Sequence, residues 1–177
     1  MKKNIIFATI LALSTAFFVS CDKGDNGSTP TPTPTPSANP TLRLDMESAS
    51  DLLKMIDFTG SEFKIGSQTI DLSSGNFDKT YNITETTKGS LKIVAKPKDF
   101  TPAAGQKYDA VCLIEITFNK VPCVRNRLGA KGFCYDNELT KEKPRTMQEI
   151  LQGWCNRLSA DYTFTVNPDG TITDFGR

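Results

Sequence analysis

Apolar residues recur at period two along 108–118. Cys112, Ile114, Ile116 and Phe118 share one face, and Val111, Leu113, Glu115 and Thr117 share the other. This is the pattern of a strand with one side on a core. Phe63 and Ile65, then Ile70 and Leu72, alternate around Gly66-Ser67, a pair suited to a tight II′ hairpin turn. Tyr81 and Ile83 answer Leu91 and Ile93 across Lys88-Gly89 and predict a second hairpin. A third is predicted from Tyr162, Phe164 and Val166, turning at Asn167-Pro168-Asp169-Gly170 into Thr171 to Phe175, where proline, aspartate and glycine suit successive turn positions. The period changes to helical twice. Ser48, with Asp51 three residues on, predicts a capped short helix through Ile56, with Gly60 as its stop. Thr146 and Glu149 form a capping box ahead of Met147, Ile150, Leu151, Trp154, Cys155 and Leu158, which fall on one side of a longer helix. The expected fold is therefore α+β: a mostly antiparallel sheet, open or curled toward a barrel, with one short N-terminal helix and one longer helix packed on the sheet.

The pattern upstream is different. Lys2 and Lys3 precede an apolar run from Ile5 to Val19 that ends in small Ser20. These are the parts of a secretory signal, and the run is shorter than the roughly 20 apolar residues a membrane span needs. Cys21 directly follows Ser20, so Phe18-Val19-Ser20-Cys21 resembles the lipobox of bacterial lipoproteins, with Phe18 where leucine is usual. The resemblance implies cleavage before Cys21, a diacylglyceryl thioether on its sulfur and an N-acyl chain such as palmitate. It also implies a lipid anchor in the cell outer membrane. The polar, partly acidic stretch from Asp22 to Ser28 is similar to the segment just after the cysteine in many Bacteroidota lipoproteins and implies display on the outer surface. Thr-Pro then repeats from Thr29 to Pro36, before Ser37-Ala38-Asn39-Pro40. Each proline fixes its own φ and pushes the residue before it to extended geometry, so this segment reads as a semi-rigid spacer. The chain thus divides into a signal at 1–20, a lipidated N-terminus with a Thr-Pro-rich linker at 21–40, and a single disulfide-bonded globular domain at 41–177.

The chain has 21 cationic and 20 acidic residues. Loss of the two signal lysines leaves a mature charge of about −1, which argues against nucleic-acid binding through a basic field. There is no histidine, so no Ser-His or Cys-His pair exists, and neither a metal nor another cofactor is expected. With Cys21 consumed by lipid, Cys112, Cys123, Cys134 and Cys155 remain, an even number in an exported domain and candidates for disulfides. Of the three possible connectivities, one would staple helix to sheet through Cys112 and Cys155 and close a local loop through Cys123 and Cys134. That expected loop carries Arg125, Arg127 and Lys131, comes after Lys120, and meets no acid before Asp136. It is the candidate partner-binding segment. Asp136 with Glu138, and Asp169 with Asp174, are the carboxylate pairs a hydrolase could use. Trp154 reads as core packing rather than a sugar platform. The expected function is a monomeric, non-enzymatic envelope binding or structural module with a protein or glycan partner. One alternative is an anchored protease inhibitor presenting the basic loop, and a second is an envelope hydrolase using carboxylates.

Overall fold

A computed structural model describes residues 39–135 and 145–177. The signal, Cys21, most of the spacer, and Asp136 and Glu138 lie outside the described residues. Two antiparallel sheets supply one buried core. The first contains β1 (Thr41–Ser48), β5 (Phe77–Asn82), β8 (Tyr108–Phe118) and β9 (Val121–Phe133), in the order β5-β1-β8-β9. The second contains β3 (Glu62–Ile65), β4 (Gln68–Asp71), β6 (Thr87–Ile93), β10 (Ala160–Val166) and β11 (Ile172–Gly176), in the order β11-β10-β6-β3-β4. A two-stranded ribbon pairs β2 (Ile56–Asp57) with β7 (Lys96–Pro97). The helices are α1 (Ser50–Met55) and α2 (Met147–Leu158). The expected mostly antiparallel, α+β character holds. The strands do not close into a barrel, because each sheet keeps two distinct edges: β5 and β9 in one, β11 and β4 in the other.

Period-two patterning places the core. Leu42, Leu44 and Met46 of β1 and Cys112, Ile114, Ile116 and Phe118 of β8 turn inward. Phe63 and Ile65 of β3, Leu91 and Ile93 of β6, and Tyr162, Phe164 and Val166 of β10 join them from the second sheet. Phe63 ties the two layers together. Its ring centroid lies 5.8 Å from that of Tyr81 in the first sheet and 6.3 Å from that of Phe164 in its own. Removal of such rings from water is the dominant favourable term in folding. Helix α2 opens on the expected capping box, with Thr146 Oγ1 accepting from the Glu149 N–H and the Glu149 carboxylate accepting from the Thr146 N–H. It buries Met147, Leu151, Cys155 and Leu158 against the core.

Three local expectations are corrected. Ser48 ends β1 and is not a helix cap; α1 is entered from Ala49 without a side-chain cap. Ser48 serves the sheet instead, its backbone N–H donating to Asn76 Oδ1 and its hydroxyl to Cys112 Sγ at 3.4 Å. Strands β5 and β6 do not form a hairpin, because β5 pairs with β1 while β6 pairs with β3 and β10. The chain crosses between sheets over 83–86, and Gly89 lies inside β6 rather than at a turn. The third correction is the segment after Phe118, which is strand β9 and not a loop. The other two hairpins form as expected: β3 pairs with β4 around Gly66 at φ +57, and β10 pairs with β11 around Gly170 at φ +89.

The β8–β9 hairpin turns on Asn119 and Lys120, with φ of 48° and 66°. Two successive left-handed residues are what a two-residue I′ turn requires, and glycine suits the second of them better than lysine. The left-handed penalty of a side chain, about 1–2 kcal/mol, exceeds the extra chain entropy that glycine loses, about 0.5–1 kcal/mol. Lys120→Gly is therefore expected to raise stability by about 0.5–1 kcal/mol, read as a higher Tm in thermal unfolding. An unchanged or lower Tm would show that the lysine is not strained there.

Candidate functional site on strand β9

Strand β9 pairs with β8 from Val121↔Phe118 to Phe133↔Tyr108. Val124 and Leu128 are buried, with Asn126 between them on the same side. Asn126 is a polar residue in an inward row, and both ends of its amide are used. Nδ2 donates to the Leu158 carbonyl at 3.3 Å, at the last residue of α2, and Oδ1 accepts from the Tyr162 hydroxyl at 3.3 Å. One side chain thus links the first sheet, the helix end and the second sheet, and satisfies a helix-terminal group that has no intrahelical partner. Trp154 of α2 packs edge-on against Phe133, centroids 5.0 Å apart.

The residues between these inward positions point out. Arg125 and Arg127 are exposed, as are Gly129 and Lys131. Arg125 lies opposite Glu115 in the register and forms an ion pair with it. Arg127 lies along the strand, its Nε 3.7 Å from where a Cβ at Gly129 would stand, an ordinary contact distance. Its cross-strand neighbour is Leu113, and that of Gly129 is Val111, both half-buried on the outward face. On β1 and β5, Arg43, Asp45 and Asp78 form a closed cluster. Arg43 grips both oxygens of Asp78, at 2.7 and 3.0 Å, and touches Asp45 at 3.1 Å. The Asp78 hydrogen bond raises the Arg43 pKa, and Arg43 in turn lowers that of Asp78. Among the described residues, Lys120, Arg127 and Lys131 have no such carboxylate. The outward side of β9 beyond Arg125 is accordingly cationic.

The cysteines depart from expectation. Cys112, Cys123, Cys134 and Cys155 are all free. Cys123 lies near the start of β9 and Cys134 directly follows its end, so an extended strand on the order of 30 Å long separates them, whereas a disulfide needs Cα atoms within roughly 7 Å. The segment that this bond was expected to close into a loop is a strand. Cys112 and Cys155 are both core thiols; burial pushes the Cys112 pKa up and that of Cys155 to about 11. Burial raises Cys123 as well. Thiols held protonated in this way make poor nucleophiles.

Of the carboxylates named for hydrolysis, the described pair serves the last hairpin. Asp169 accepts from the hydroxyl and the backbone N–H of Thr171, and these two bonds, the hydroxyl first, lower its pKa. Asp174 accepts from the Thr165 hydroxyl at 3.0 Å. On the outer face of the second sheet, short Ser90, Thr163 and Thr165 lie between Lys64, Lys88 and Asp174 and leave an open groove of about 480 Å³. The residues whose role was not foreseen are Asn126 and Glu115. The alternation Val124, Asn126, Leu128, Ala130 against Arg125, Arg127, Gly129, Lys131 was the signal that could have located them. Comparison of the chain with protein-family models, curated proteins and solved structures gives no match.

Proposed function

We propose that this chain is a lipid-anchored protein of the cell outer membrane, held by acylated Cys21, whose domain is a non-catalytic binding or structural module for a protein or glycan outside the membrane. The observation that carries the reading is the row of Arg127 and Lys131, with Lys120 at the adjoining turn, left without carboxylate partners among the described residues on an exposed strand. Uncompensated charge on one face raises the rate and selectivity of encounter with an oppositely charged partner. A protease inhibitor would have to offer a segment that projects into a cleft, and Arg125 and Arg127 in a paired strand give that alternative no support. Among the described residues no helix is long and apolar enough to cross a membrane, so membrane retention in this reading rests on lipid. Two or three acyl chains, at about 0.8 kcal/mol per buried CH₂, suffice for a lasting anchor.

Cys21→Ser tests the anchor. The variant is expected to move from the membrane fraction to the soluble fraction and to lose incorporation of labelled fatty acid. A variant that stays in the membrane would overturn the localisation.

A further inference from the structure

Strand β9 ends the sheet order β5-β1-β8-β9, so only one of its two edges is paired within the first sheet. Among the described residues, no backbone bond outside the β8 ladder involves Cys123 to Lys131. Unpaired edge groups invite another extended chain. Two features bound the usable stretch. Pro122 has no N–H to give, and Gly132, at φ +61, leaves the extended region and donates its N–H to Asp109 Oδ1. Between them, Cys123 to Lys131 is strand, in unshifted register with β8 from Val124 to Ala130 and irregular at both ends.

The outward side chains decide what could pair there. A second copy aligned antiparallel about Gly129 would set Arg127 against the other copy's Lys131, and like charges directly opposite are destabilising. A chain with carboxylates at alternate positions meets the same cations favourably. We propose that β9 takes up an extended acidic segment of a partner protein by strand addition, Arg127 and Lys131 meeting its carboxylates. The proposal rests on the reading of the domain as a binding module and adds the mode of recognition. The basic row has two effects at once: it keeps copies of the chain apart and selects an acidic strand.

The test uses the full chain and three fluorescent peptides of about nine residues, the length of the open stretch: alternating Val and Glu, the same with Lys for Glu, and the Val-Glu peptide N-methylated at every amide. Anisotropy is expected to show binding of the Val-Glu peptide, roughly tenfold or weaker binding of the lysine peptide, and loss of binding on N-methylation. Arg127→Glu with Lys131→Glu, both exposed sites, is expected to invert the preference for glutamate over lysine while leaving the Tm of the protein unchanged. Equal binding of the N-methylated peptide would overturn strand addition and leave the basic row as a simple charged contact. Equal binding of the glutamate and lysine peptides would overturn charge selection. Binding of none would overturn the proposal as a whole, while the membrane reading stands or falls separately on Cys21→Ser.

Discussion

Phe63→Ala is expected to cost about 3–5 kcal/mol, measured as a fall in the denaturant midpoint with little change in slope. The ring is fully buried and sits between Tyr81 of one sheet and Phe164 of the other. Truncation removes the transfer energy of the ring and leaves a hole that two sheets, each fixed by its own ladders, cannot collapse to fill. Native domains are stable by only about 5–15 kcal/mol, so this one change removes a large share of the total. A loss under about 1 kcal/mol would mean that the sheets do not meet at Phe63.

Gly89→Ala is the second large effect, expected at about 1–3 kcal/mol. A Cβ at Gly89 would lie 2.4 Å from Phe164 Cε2 and 3.1 Å from the Lys64 carbonyl oxygen. The ring cannot swing away freely, because it is buried and stacked on Phe63. The cause is checked by a double-mutant cycle: Phe164→Leu should lower the cost of Gly89→Ala, since the smaller side chain frees the space. Strict additivity of the two changes would show that the clash is not between these residues.

Gly89 also shows why part of the fold was hard to read in the sequence. A lysine-glycine pair between two apolar runs is a turn signal when only local chemistry is weighed. Here the glycine makes room for the Phe164 ring of β10, a contact far away along the chain. Strand β8 was legible because its alternation is unbroken, and α2 because its capping box and apolar side agree. Strand β9 was hidden by Asn126 in its inward row, by Pro122, Gly129 and Gly132, and by a turn made from Asn119-Lys120 without glycine. Cysteine parity pointed to a loop between Cys123 and Cys134 for a related reason. Their spacing allows a closed loop only if the chain folds back, and β9 does not. The chemistry of the candidate site was partly legible: Arg125, Arg127 and Lys131 do share an exposed side, but the Glu115 partner of Arg125 follows from register, which no local pattern reveals.

The position of β1 bears on how the domain would respond to pull. The chain is tied in from Pro40, whose carbonyl accepts from the Ile83 N–H, and Thr41, whose carbonyl and N–H are both bonded to Asn119, opens a strand flanked by β5 and β8. Tension applied upstream of Thr41 along the strand would act on both neighbouring ladders in shear, loading many hydrogen bonds together. Had the entry strand been an edge, the same tension would have fallen on a single ladder. An interior entry strand thus yields only when two ladders give way together.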